Sequence, residues 1–64
     1  MTQREMTELN ELASDLCDGF PEKNQDEILA HLVRLVTEEG YSVNALWRID
    51  LEDSGKLYDL IYGF

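Results

Sequence analysis

The sequence predicts a two-layer α+β domain, in which two amphipathic helices are followed by a C-terminal β-hairpin. Apolar residues recur at helical spacing through the first half of the chain, and then at every second position from Tyr41 to Leu51. The run Asp53-Ser54-Gly55-Lys56, which follows, is typical of a hairpin turn. We expect a single domain, residues 1–64, because a chain of 64 residues is too short to build two cores.

The first predicted helix runs from Thr2 to Cys17. One face carries the apolar residues, at spacings typical of an amphipathic helix: Met6, Leu9, Leu12, Ala13, Leu16 and Cys17. The opposite face carries a row of acidic residues at the same spacing: Glu8, Glu11, Asp15 and Asp18. Gly19 is expected to end this helix, and Phe20 to fold back onto the apolar face.

The second predicted helix begins after Asn24, an N-cap residue with Glu27 three positions on, as in a capping box. Its apolar face is wide and consists of Ile28, Leu29, Leu32, Val33, Leu35 and Val36. Gly40 follows as the glycine that closes the helix.

A long strand is predicted for residues 41–51. The odd positions are apolar, the even positions are mostly polar, and only Leu46 breaks the alternation. A helix would place Val43, Leu46 and Trp47 on one face, but it would leave Ile49 off that face and would bury Asp50. For these two reasons the sequence favours the strand.

The second strand of the hairpin is predicted for residues 57–64, with Gly55 in the left-handed position of the turn. The same segment also fits a helix, and this alternative stays open; the apolar residues of that helix would be Leu57, Leu60, Ile61 and Phe64. The 41–51 strand would lie at an edge of the sheet, where it could pair with a second copy of the chain. The sequence therefore allows a homodimer.

Charge excludes several classes of partner. Fourteen Asp and Glu against five Lys and Arg leave a formal net charge of −9, above the magnitude of ~2–8 that is typical of small domains. Such a chain is repelled by nucleic-acid phosphates and by anionic lipid, so we expect neither direct nucleic-acid binding nor membrane binding. The N-terminus has no apolar secretory segment, and we expect a cytoplasmic protein.

No pattern indicates an enzyme, a metal or a cofactor. One cysteine, Cys17, and one histidine, His31, cannot form a Cys/His metal site, and no nucleophile–base pair is evident in the sequence. The segment 50–55 is similar to the start of a calcium-binding loop, but Ile61 stands where that loop needs a bidentate glutamate.

The leading functional hypothesis is an acidic interaction module that covers a basic surface of a nucleic-acid-binding enzyme or regulator. The helical row, together with Asp50, Glu52 and Asp53, would stand in for phosphates. In size and charge the chain resembles the small inhibitors that phages and mobile elements encode against host nucleases, including anti-CRISPR proteins and other DNA mimics. This resemblance is one of profile and involves no motif.

The alternative is a homodimeric structural or regulatory module that assembles through an aromatic face of the hairpin. Tyr58 and Tyr62 would lie on that face, and tyrosine is enriched in protein interfaces. Both hypotheses together give these predicted partner-binding residues: Glu8, Glu11, Asp15, Asp18, Asp50, Glu52, Asp53, Tyr58 and Tyr62.

Overall fold

Helices alone make up the secondary structure of the part of the chain that is described. A computed structural model describes residues 1–20 and 24–62. In chain order its helices are α1 (Gln3–Gly19), α2 (Gln25–Thr37), α3 (Val43–Glu52) and α4 (Ser54–Tyr62). The predicted α+β fold is therefore wrong, because no strand or sheet is present in the described residues. Packing is most extensive between α1 and α2 and between α3 and α4, while α1 also contacts α3 and α4, and α2 contacts α4.

The two helices predicted for the N-terminal half are both present, and side chains cap their first turns. Thr2 Oγ1 accepts a hydrogen bond from Glu5 N at 3.1 Å, and Glu5 Oε1 accepts one from Thr2 N at 3.0 Å. This capping box, which the sequence interpretation missed, lowers the pKa of Glu5 through its hydrogen bonds with Thr2. Asn24 caps α2 as predicted, but its side chain accepts from Asp26 N at 2.8 Å, one residue before Glu27.

The segment predicted as a long strand contains α3. The exposure of two leucines distinguishes a helix from a strand in this segment. Leu51, which the strand would turn inward, is 81% exposed, whereas Leu46, which broke the alternation, is fully buried. Ser42 begins the helix because its hydroxyl accepts a hydrogen bond from Ala45 N at 3.1 Å. The helical alternative, which buries Asp50, is the one the chain adopts.

The predicted hairpin turn is a junction between two helices. Asp53, in extended conformation, donates its backbone N–H to Ile49 O at 2.8 Å and accepts from Lys56 N at 3.1 Å. One residue therefore ends α3 and begins α4. Gly55 lies in the first turn of α4, and among the described residues only Gly40 has a positive φ, of 82°.

The helical alternative for the last segment is correct as far as Tyr62, and the remaining predicted strand residues, 63–64, lie outside the described part of the chain. The predicted sheet edge is therefore absent from residues 1–20 and 24–62, and with it the strand pairing on which the expected homodimer depended.

All four helices contribute to one core. Its buried apolar residues are Leu9, Leu12, Ala13, Leu16, Ile28, Leu32, Leu35, Val43, Leu46, Leu57 and Ile61. Asp50 is the one charged residue buried with them among those described. None of the described helices combines the length and the apolar character needed to span a membrane.

Candidate acidic binding surface

Four carboxylates form a row along α1, which we call the acidic row: Glu8, Glu11, Asp15 and Asp18. The helix turns Leu9, Leu12 and Leu16 into the core, so the row faces outward. Glu8 is half-buried and the other three are exposed. Neighbours three or four positions apart on a helix have Cβ atoms about 5–6 Å apart, and ten residues of rise give the row a length of about 15 Å.

Cations within the described chain leave the acidic row unneutralised. No Lys or Arg among residues 1–20 and 24–62 forms an ion pair with any of its four carboxylates. Asp18 also lies in the last turn of α1, which has no basic residue. A negative charge at a helix C-terminus opposes the helix dipole. Helix stability therefore does not explain this position of Asp18.

Asp50 on α3 pairs with Asp15 of the acidic row. The Asp50 side chain is only 8% exposed, and no donor in the described chain reaches its Oδ1. Burial, together with a hydrogen bond to Asp15 and charge repulsion from it, raises the pKa of Asp50 to about 7. When Asp50 is protonated, its O–H donates to the Asp15 carboxylate. The pair therefore holds one proton up to about neutral pH.

The carboxylates predicted around the hairpin do not form one cluster. Asp50 turns inward to α1, whereas Glu52 is exposed at the end of α3. The Asp53 carboxylate is also exposed, and its Oδ1 accepts from Lys56 N at 3.3 Å, so it is engaged in the α3–α4 junction. The structure thus adds only Asp50 to the acidic row. The helical spacing of Asp50 with Val43 and Leu46 indicates this placement, but the sequence favours a strand because a helix buries Asp50.

The predicted interface tyrosines pack against rings of their own chain. Tyr58 stacks on Phe20 with ring centroids 4.1 Å apart and lies 4.8 Å from Tyr62. The His31 and Tyr62 rings meet in a T-shaped arrangement with their centroids 4.9 Å apart. The four half-buried rings link the end of α1 to α4 and α2. Phe20 folds onto the core as predicted, and His31 is part of this ring contact.

Within residues 1–20 and 24–62, no three His, Cys, Asp or Glu side chains are placed to hold a metal ion. The single cysteine, Cys17, is half-buried and packs against the core.

Comparison with known proteins finds no relative of this chain. No protein-family model matches it, and no curated protein or solved structure is significantly similar to it.

Proposed function

We propose that this chain is a small acidic binding protein that covers a basic surface of another protein, one that itself binds nucleic acid. The acidic row of α1 is the observation that supports this best. It presents carboxylates on a rigid helix, without neutralising cations from the described chain, in a molecule whose formal net charge is −9.

The physics of such a surface fits a competitor of nucleic acid. A regular row of negative charge is attracted to the same Lys and Arg side chains that bind phosphates. The excess negative charge would speed encounter with a basic partner and would make the association sensitive to salt. We propose that binding takes place in the cytoplasm and occludes the partner in the manner of the DNA-mimicking inhibitors. No catalytic step is part of the proposal.

The test is affinity capture of partners from lysate with the chain as bait, eluted in rising salt and identified by mass spectrometry. A captured basic protein is then assayed for nucleic-acid binding with and without the chain. Elution is expected as salt shortens the Debye length, from about 10 Å at 0.1 M to about 3 Å at 1 M. Loss of nucleic-acid binding by the captured protein is the supporting result.

Two variants of equal charge make this test specific. Glu11→Gln/Asp18→Asn removes two exposed carboxylates of the acidic row, and Glu38→Gln/Glu39→Gln removes two exposed carboxylates after α2. The row variant should lose the partner, whereas the control should retain it. Equal loss in both would mean that net charge alone acts, and unchanged capture by the row variant would refute the proposal.

The homodimer hypothesis is not favoured by any specific contact. It depended on a sheet edge and on an aromatic face of the hairpin. Within the described residues there is no sheet, and Tyr58 and Tyr62 pack against Phe20 and His31.

A further inference from the structure

Resting on the proposed function, we propose that the paired carboxyls of Asp15 and Asp50 form a subsite for one arginine side chain of the basic partner. The acidic row would then bind in two ways. Its exposed carboxylates attract any positive surface, and this pair selects a guanidinium at one position.

The buried member of the pair lacks a donor. Asp50 is 8% exposed, and its Oδ1 has no hydrogen-bond partner in the described chain. A buried acceptor that lost its water without gaining a donor is unfavourable, so a donor brought by another molecule would be stabilising. Arg48, the cation on the same helix, is exposed and forms no ion pair with a described carboxylate.

The other member connects that acceptor to the surface. Asp15 is exposed on the acidic row, and it hydrogen-bonds and repels Asp50 electrostatically. The pair therefore extends from solvent into the α1–α3 contact. Because Asp15 is exposed, its side chain can change rotamer without movement of a helix, which would let an incoming group reach Asp50.

Two adjacent carboxyls suit arginine better than lysine. A guanidinium presents five N–H donors in a planar fork, which can serve oxygens of both carboxyls at once. It is also more weakly hydrated than an ammonium, so its transfer into a half-buried site costs less. Lysine would bring one point charge, which the exposed carboxylates of the row already accommodate.

A guanidinium would replace the proton that the pair holds. Since the pKa of Asp50 is raised to about 7, the fraction of pairs without that proton rises about tenfold between pH 6 and pH 8, and so should the affinity. Other charged groups near α3 do not set this pKa. On α4, which packs against α3, Lys56 and Asp59 are exposed, and on α3 itself so are Arg48 and Glu52. Only Asp15 acts on the Asp50 carboxyl.

The experiment measures binding of two fluorescent peptides of equal length, one of arginines and one of lysines, to the intact chain by anisotropy. Ionic strength is held constant at pH 6 and pH 8, where both peptides keep their charge. The arginine peptide should bind about tenfold more tightly at pH 8 than at pH 6. The lysine peptide should show a much smaller change.

Asp50→Asn is the decisive variant, because asparagine has the shape and neutrality of the protonated side chain and the fold should persist. At pH 8 it should bind the arginine peptide as weakly as the unaltered chain does at pH 6. Asp59→Asn, which removes an equal charge from an exposed position, should keep the pH dependence. His31→Asn should keep it as well, which separates the effect of Asp50 from any effect of the histidine.

Two failures are distinguishable. If Asp50→Asn retains both the pH dependence and the preference for arginine, the subsite is refuted while the acidic row can still bind basic partners. If the unaltered chain binds neither peptide, or if Glu11→Gln/Asp18→Asn binds as well as Glu38→Gln/Glu39→Gln, the proposed function fails and the subsite fails with it.

Discussion

The carboxyl of Asp50, inside the contact between α3 and α1, lies against the carboxyl of Asp15, which is exposed on α1. Two acidic groups in contact at a helix interface are unfavourable when both are ionised. The chain keeps this arrangement although an amide or an apolar residue at position 50 would avoid the repulsion. Stability, protonation and the proposed binding of a cation are therefore linked through one pair of residues.

The first prediction concerns the pH dependence of stability. The folded state raises the pKa of Asp50 from 3.8 to about 7, so it holds this proton more tightly than the unfolded chain does. This tighter binding of the proton stabilises the folded state. The stabilisation is fully present below about pH 4 and is lost as pH rises through 7. Asp50→Asn removes this loss, and its free energy of unfolding at pH 8 should exceed that of the unaltered chain by about 2–4 kcal/mol.

Urea denaturation between pH 4 and pH 8 measures this difference. Glu5, whose pKa is lowered by its hydrogen bonds with Thr2, contributes in the opposite sense, since its stabilisation is lost as pH falls. Both chains retain Glu5, so the difference between them reports Asp50. The control Asp59→Asn should follow the profile of the unaltered chain. Parallel profiles for Asp50→Asn and the unaltered chain would contradict the buried pair.

The second prediction separates the helix at 43–52 from the strand that the alternation indicates. Leu46 is fully buried and Leu51 is 81% exposed. Leu46→Ala should therefore destabilise the chain by about 2–5 kcal/mol, whereas Leu51→Ala should change stability by less than about 0.5 kcal/mol. Thermal denaturation followed by circular dichroism measures both. A strand would give the reverse order, because it turns Leu51 inward and Leu46 outward.

The error at this segment has a physical origin. The alternation from Tyr41 to Leu51 predicts a strand, and it outweighs the helical set of Val43 and Leu46 because a helix buries Asp50. A buried carboxylate is unfavourable, and that rule holds for a structural core. In this structure the Asp50 side chain is buried, and it lies at the candidate site. The prediction of a strand therefore fails because of Asp50, the residue to which we assign the most specific function.

The capping residues in this half of the chain indicate helices, and they are a better guide than the alternation of residues 41–51, which indicates a strand. Ser42 stands three residues before Ala45, and Asp53 three before Lys56, both in the arrangement of an N-cap. For α1 and α2, periodicity and capping agreed, and both helices are correct. The acidic row followed from the periodicity of α1 alone. Its pairing with Asp50 did not, because contact between α1 and α3 depends on the tertiary fold.

The third prediction tests the cap of α3. Ser42→Ala removes the hydroxyl that accepts from Ala45 N at 3.1 Å and should cost about 1 kcal/mol of stability. Ser54→Ala is the matched control. Ser54 is the first residue of α4, after the capping residue Asp53, and it is exposed. Loss of the Ser54 hydroxyl should leave the free energy of unfolding almost unchanged. Equal effects of the two variants in urea denaturation would contradict this position of the α3 N-terminus.

The fourth prediction is that Asp18 lowers the stability of the fold but contributes to the binding of a basic partner. Its carboxylate lies in the last turn of α1, which has no basic residue, so Asp18→Asn should relieve repulsion by the helix dipole and stabilise the fold by about 0.3–1 kcal/mol. The same variant removes one charge from the acidic row and should weaken capture of a basic partner. Denaturation and binding measured on one preparation test both effects.

The sign of the two effects distinguishes a binding surface from a solvated helix face. A residue kept only for solubility would show the gain in stability with no loss of binding, and that result would remove Asp18 from the proposed surface. Glu39→Gln, beyond the end of α2 at an exposed position, provides the comparison. It also removes one negative charge near a helix C-terminus, so it should stabilise by a similar amount but leave binding intact.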